Sequence, residues 1–185
     1  MYSTSDFRKG LAIIYEGQPY IITEVHHHKP GKGAAVVRTK MRNLLTGVAA
    51  DPTFRSGDKV ARADLEEKEG QYLYESDGNY HFMDPETYEQ YQVGASVIDD
   101  KKNFMMENMN VQMLFFEGRI ISIEIPNHVV LQIIECAPAV RGDTVSGATK
   151  PAKVTTGYSC QVPLFVNEGD KIRIDTRTGL YIERA

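Results

Sequence analysis

The sequence predicts an all-β chain built from small barrels or sandwiches. Two observations carry this. Hydrophobic residues alternate with polar ones at a period of two along most of the chain, and turn signals rich in Gly, Asp and Asn recur at close spacing. Strands at residues 11–15 and 20–25 flank Glu16-Gly17-Gln18-Pro19, a hairpin turn. From 35 to 43, Ala35, Val37, Thr39 and Met41 share one face, and Val36, Arg38, Lys40 and Arg42 share the other, a basic stripe. Strands at 71–75 and 80–83 enclose Ser76-Asp77-Gly78-Asn79, where Asp-Gly supplies the positive φ angles of a tight hairpin. Asp84-Pro85-Glu86-Thr87 predicts a helix start, with Asp84 as N-cap and Pro85 at the first helical position, limited to two or three turns by Gly94. Alternation resumes at 109–115, and Glu117-Gly118 turns the chain into a strand at 119–125. Strands at 129–136, 158–162, 171–175 and 180–183 follow, with turns at Asn167-Glu168-Gly169-Asp170 and Thr176-Arg177-Thr178-Gly179. Residues 137–157 carry no strong pattern, and an unpatterned stretch of that length reads as a functional loop.

Composition bounds the function. Hydrophobic residues make up 42% and charged residues 25% of the 185, enough to bury cores. The longest hydrophobic run, 11–15, is far short of a membrane span, and the first residues lack the basic and apolar regions of a signal peptide, so a cytoplasmic protein is expected. Cys136 and Cys160 form no CxxC pair and read as ordinary strand residues in a reducing compartment. The net charge of −4 hides a division. Residues 1–62 hold ten Lys/Arg and five Asp/Glu, residues 63–126 four and fourteen, and residues 127–185 seven and six. A basic first third beside an acidic middle third points to a polyanion at one end, against the plainer reading of solvated faces.

Catalytic and cofactor motifs are missing from the sequence. Gly33 follows Lys32 where a phosphate loop needs Ser or Thr, and His26 stands where its first glycine belongs. Gly31-x-Gly33-x-x-Val36 lacks the third glycine of a dinucleotide fingerprint and leads into a strand. Successive strand residues point to opposite faces, so His26-His27-His28 cannot close on one metal ion. The adjacent acids Asp99-Asp100 lack the separation of an acid/base pair, and a hydrolase using His81 or His128 would need a second catalytic group that no motif offers. No catalytic residue, metal or cofactor is expected. What remains is Lys29-Pro30-Gly31-Lys32-Gly33, a hairpin tip in which two glycines strip the bulk from either side of one lysine. Such an ammonium is either a solvated turn residue or a point charge able to enter a narrow crevice against phosphates, with Arg38, Lys40 and Arg42 behind it.

These residues, in this order, resemble bacterial elongation factor P. The resemblance covers the whole chain: Asp6-Phe7-Arg8-x-Gly10-Leu11, the tip Lys29-Pro30-Gly31-Lys32-Gly33, and Arg42-Asn43-Leu44-Leu45-Thr46-Gly47. It continues through Lys150-Pro151-Ala152, Thr156-Gly157, Val162-Pro163-Leu164-Phe165-Val166 and Asp175-Thr176-Arg177-x-Gly179-x-Tyr181. Cys160 departs from the aliphatic residue usual at its place, and Ile98-Asp99-Asp100-Lys101-Lys102-Asn103 matches only in part the loop with which some members approach the exit-site codon. The resemblance implies three small β-barrels, an N-terminal KOW-type barrel at 1–62 followed by OB-type barrels at 63–126 and 127–185. It implies a monomeric factor that binds the bacterial ribosome, contacts peptidyl-site tRNA and ribosomal RNA, and relieves stalling at consecutive prolines. Lys32 would reach the tRNA acceptor end, with Lys29, Pro30, Gly31, Gly33 and Arg38 at the contact and Lys40, Arg42, Tyr181 and Arg184 as further RNA contacts. Many members carry an added group on the lysine matching Lys32, which makes that residue a modification site and a lysine-modifying enzyme a partner. The unpatterned loop from Arg141 to Lys153 is a further RNA-contact candidate. An elongation-factor-P-like paralogue, or a generic RNA- or ribosome-binding barrel protein, is the alternative; paralogues tend to lose the Pro-Gly-Lys-Gly arrangement kept at 30–33.

Overall fold

Hydrophobic alternation produces strands, and each run of strands closes over its own inward-facing side chains. A computed structural model of the chain describes residues 1–139 and 147–185. Among them, seventeen strands form three sheets, and helix is confined to single short turns at Thr4–Asp6, Ala95–Ile98 and Asp99–Asn103. No helix among the described residues is long and apolar enough to cross a membrane.

The first sheet contains β1 (Tyr2–Ser3), β2 (Ala12–Tyr15), β3 (Gln18–His28), β4 (Val36–Asn43), β5 (Ala49–Ala50), β6 (Thr53–Arg55) and β7 (Lys59–Arg62). Its order is β1-β7-β2-β3-β4-β5, with β6 also on β4. Phe7, Leu11, Ile13, Ile22, Val37, Met41 and Phe54 fill the core, where the Phe7 and Phe54 rings meet edge to face at 5.2 Å. The second sheet, β8 (Leu65–Ser76), β9 (Asn79–Met83), β10 (Gln90–Gly94), β11 (Asn110–Phe116) and β12 (Arg119–Glu124), runs β10-β9-β8-β11-β12. Here Gly70 is required by closeness: a Cβ on it would lie 2.6 Å from the sulfur of the fully buried Met113. The third sheet, β13 (His128–Cys136), β14 (Thr149–Val154), β15 (Ser159–Pro163), β16 (Lys171–Asp175) and β17 (Tyr181–Arg184), runs β15-β14-β13-β16-β17. By compactness the chain divides into one unit of Met1–Glu67 with Leu114–Ser122 and another of Lys68–Met113 with Ile123–Ala185.

Three hairpins turn as their sequences require. Glu16-Gly17, Asp77-Gly78 and Glu117-Gly118 all take positive φ at both central positions, matching the right-handed twist of the flanking strands. Two expectations fail. No helix follows Asp84. Its carboxylate accepts the Glu86 and Thr87 N–H groups at 2.8 and 3.1 Å, as a helix cap would, but Tyr88 then takes φ 60° and the chain returns as β10, pairing Gln90 with Met83. The side-chain caps of a helix and of a tight turn use the same donors, and here pairing with β9 decides. The stretch 137–157 is not all loop either, because β14 occupies its second half between β13 and β15.

Within the second unit, Phe104 leaves the short helical turns and enters the core of the third sheet with Leu131, Ile133, Val154, Ile172 and Ile174. The Phe104 ring meets Tyr158 at 5.0 Å, and the Tyr158 hydroxyl donates to the Gly179 carbonyl at 3.0 Å. Thr156 donates to the Asn103 carbonyl at 2.6 Å and Thr176 to that of Pro126 at 2.6 Å. Cys160 is buried on β15, which pushes its thiol pKa up, and Cys136 ends β13; both are free thiols. Gly179 combines φ 73° with a site where a Cβ would sit 2.3 Å from the Tyr158 hydroxyl oxygen. Gly179→Ala is therefore expected to cost about 2 kcal/mol in a urea titration, since it strains the turn and displaces Tyr158; an unchanged midpoint would contradict this packing.

Asp175 gives a pH-dependent check. The Arg177 side chain binds its carboxylate at 2.9 and 3.2 Å and the Arg177 N–H at 2.8 Å, holding the carboxyl at about 2 against an ordinary 3.8. Because the folded-state value is depressed, this contribution to stability is complete above the ordinary value and disappears as pH falls towards 2. Asp175→Asn should unfold more easily than the parent at pH 7, and the gap in denaturant midpoint should shrink as pH drops from 4 towards 2.

Candidate nucleic-acid interface

Five of the ten basic residues of the first third, Lys29, Lys32, Arg38, Lys40 and Arg42, lie on one hairpin. β3 and β4 pair antiparallel from Tyr20 opposite Asn43 to His28 opposite Val36. Val37, Thr39, Met41 and Asn43 point inward, none more than 3% exposed, so Arg38, Lys40 and Arg42 are forced outward. Thr39 is tolerated inside because its hydroxyl donates to the Pro52 carbonyl at 3.0 Å. Asn43 has a structural role: its side-chain oxygen accepts the Leu45 and Thr46 N–H groups at 2.8 and 3.1 Å, and its amide donates to Gln18. The Arg42-to-Gly47 motif is therefore a capped turn at the lower end of the stripe.

At the other end, residues 29–35 join the strands. Lys29, Gly31, Lys32 and Gly33 are exposed and Pro30 is half-buried. Gly33 takes φ 121°, a left-handed conformation open to glycine, and Pro30 folds back to within 3.7 Å of where its Cβ would be. The far foot is tied by the Ser56 N–H, which donates to the Ala35 carbonyl at 2.8 Å. Lys32 thus stands at the end of a narrow, anchored projection.

The stripe's cations are not equivalent. The Lys40 ammonium lies 3.0 Å from the Glu24 carboxylate, which His26 approaches at 3.5 Å. The Lys40 hydrogen bond, then its charge, holds the Glu24 carboxyl below the usual range. Among the described residues no carboxylate lies within 4.0 Å of the charged groups of Lys29, Lys32, Arg38 or Arg42. Sequence reasoning passed over Glu24, which a register shift after Ile22 brings opposite Lys40. All three histidines, His26, His27 and His28, are exposed. No group of three His, Cys, Asp or Glu placed to hold a metal ion occurs among the described residues.

The remaining candidates lie elsewhere. Ile98 is fully buried, Lys101 donates to the Ile123 carbonyl, and Asn103 accepts from Thr156, so 98–103 is built into the second unit with Asp99, Asp100 and Lys102 exposed. Arg184 lies over the Phe165 ring, 5.9 Å from its centroid, and 3.9 Å from Asp170. Phe165 itself is 60% exposed, an aromatic the sequence marked only as part of a motif. Tyr181 is half-buried and packs against the third core, so it carries part of the fold although it lies near the chain end. Lys150, in β14, is only 4% exposed, while Arg141 lies outside the described residues.

Three family models match consecutive parts of the chain: the elongation factor P KOW-like domain over residues 3–60, the elongation factor P OB domain over 65–123, and the elongation factor P C-terminal domain over 129–184. The chain belongs to the elongation factor P family. Curated relatives named elongation factor P include those of Pelotomaculum thermopropionicum, 51% identical over 184 residues, and Desulfovibrio desulfuricans, 52% identical over 184 residues, each match covering 100% of both chains. Among solved structures, the eukaryotic translation initiation factor 5A from Methanococcus jannaschii superposes with a TM-score of 0.56 at 21% identity, covering 68% of this chain and 92% of that one. That likeness supports the fold, an N-terminal KOW-type barrel followed by OB-type barrels. The chain is a translation elongation factor.

Tyr181 and Arg184 should separate in a stability measurement. Tyr181→Ala removes half-buried packing and is expected to cost about 2 kcal/mol, whereas Arg184→Ala should stay within about 1 kcal/mol. Equal losses in urea titrations would contradict this division.

Proposed function

We propose that the chain acts in the cytoplasm on the bacterial ribosome, beside peptidyl-tRNA, and promotes peptide-bond formation at consecutive prolines by positioning the tRNA acceptor end with Lys32. The observation that carries this is the exposed Lys32 at the tip of an anchored hairpin, backed by Arg38 and Arg42, which have no carboxylate within 4.0 Å among the described residues. Family membership supports the setting, because relatives alike over their whole length are elongation factors.

Proline is a poor acceptor and donor of the nascent chain, so a loosely held peptidyl-tRNA loses the near-attack arrangement on which peptide transfer depends. On this reading the hairpin supplies a positioned charge rather than an acid or base. Flanked by Gly31 and Gly33, Lys32 is able to enter a crevice too narrow for a bulkier tip, and Lys29 stands at the root of the loop. Arg38 and Arg42 bind phosphates further down the stem, so the strand pair sets the distance between backbone contact and acceptor end. A group added to Lys32 would lengthen its reach and add donors, and the exposure of the residue leaves it open to a lysine-modifying enzyme. Tyr181 and Arg184 belong, on this reading, to a second RNA contact at the far end of the chain, where Tyr181 also supports the barrel.

Lys32→Ala is expected to change stability by no more than about 0.5 kcal/mol, as for other exposed tip residues. Ribosome binding should fall modestly while rescue of a message encoding three successive prolines is largely lost. A reconstituted translation reaction at saturating factor checks this, using each protein in its modified form where one exists. Rescue equal to that of the parent would remove Lys32 from the mechanism.

A further inference from the structure

We propose that Glu24 sets the affinity of the hairpin face for RNA by holding Lys40 away from phosphates, leaving Arg38 and Arg42 as the stem's working cations. The inference rests on the phosphate-binding role of this face proposed above and concerns which of its cations take part.

The arrangement depends on a β-bulge. Ile22 pairs with Met41 and Glu24 with Lys40, leaving Thr23 as the extra residue on β3. In unbroken register Thr23 would stand opposite Lys40, and Glu24 opposite the inward-facing Thr39, where a carboxylate would be buried against the core. The bulge instead turns Glu24 outward beside the stripe, and the Thr23 hydroxyl fixes it by donating to the Lys40 carbonyl at 3.0 Å. Val25 then falls opposite Thr39, and His26 opposite Arg38. The one extra residue thus keeps the apolar pattern inside and puts the Glu24 carboxylate among the outward cations.

A carboxylate there acts in two ways. It satisfies the Lys40 ammonium at 3.0 Å, so a phosphate must displace it to gain that contact. It also repels any phosphate drawn to Arg38 or Arg42. Exposed pairs of this kind contribute little to folding, so the pairing is poorly explained as a stabilising device. Its effect falls on binding instead. With Glu24 in place the stem gives moderate affinity, suited to a factor that must leave the ribosome after each use; without it, three neighbouring cations would face the RNA.

The test is the salt dependence of binding of the full-length, fluorescently labelled chain to ribosomes carrying peptidyl-site tRNA, with urea titrations confirming that each variant folds. Glu24→Gln should tighten binding several-fold at low salt and steepen the plot of log affinity against log salt by about 0.7–0.9, the increment for one added phosphate contact. Adding Lys40→Ala to Glu24→Gln should cancel that gain, while Lys40→Ala alone should flatten the slope less than Arg38→Ala does. If Arg38→Ala with Arg42→Ala weakens binding but Glu24→Gln changes neither affinity nor slope, the role given to Glu24 is wrong and the phosphate-binding role of the face survives. If the double arginine variant also binds with unchanged slope, the face does not contact RNA and both readings fall.

Discussion

The pairing of β3 with β4 is the interaction on which the rest depends. On its inner side it buries Ile22, Val37 and Met41 in the first core; on its outer side the same alternation leaves Arg38, Lys40 and Arg42 in solvent. The stripe cannot be moved without moving the core, because a one-residue slip would exchange the two sets. The projection of Lys32 is tied to the same ladder, since the last pair, His28 with Val36, determines where the tip begins. Hydrophobic burial thus positions a charge through strand geometry.

Electrostatics divides the chain in a complementary way. Half of the positive residues of the first third are displayed on the outer face of β4 and the tip loop, and the middle third carries fourteen acidic residues against four basic ones. An extended acidic stretch repels phosphates, so under the proposed function the charge pattern assigns RNA contact to the stripe rather than to the middle third. Glu24 applies the same logic at the scale of one residue. The second unit is held by different means: Phe104 in the core of the third sheet, with Thr156, Tyr158 and Thr176 bonded to backbone carbonyls around it.

Much of this was legible in the sequence, and the exceptions have physical causes. Alternation from 35 to 43 gave the faces of β4 directly, because its inward residues are apolar or small and its outward ones charged. The three positive-φ hairpins were readable from glycine at the second turn position. β14 was hidden because its inward residues are Lys150, Ala152 and Val154, so a buried lysine and the neighbouring Pro151 disguise the period of two. The Asp84 turn was misread because a carboxylate caps a helix and a tight turn through the same two donors, and only a partner strand decides between them. The bulge at Thr23 left no local signature, and with it Glu24 escaped notice. Tyr181 was expected only as an RNA contact, because sequence position does not report that β17 lies against β16 and turns this ring onto the core.

The central claim, that this hairpin carries Lys32 to the acceptor end of peptidyl-site tRNA, is most directly tested by site-specific cross-linking. A photoreactive amino acid placed at position 32 of the full-length chain would be activated on ribosomes stalled at consecutive prolines, and the attached nucleotides mapped. The account predicts cross-links concentrated at the 3′-terminal nucleotides of the peptidyl-site tRNA, and none there when the probe replaces the stem residue Arg42. Cross-links from position 32 confined to ribosomal protein, or to RNA remote from the acceptor end, would contradict it.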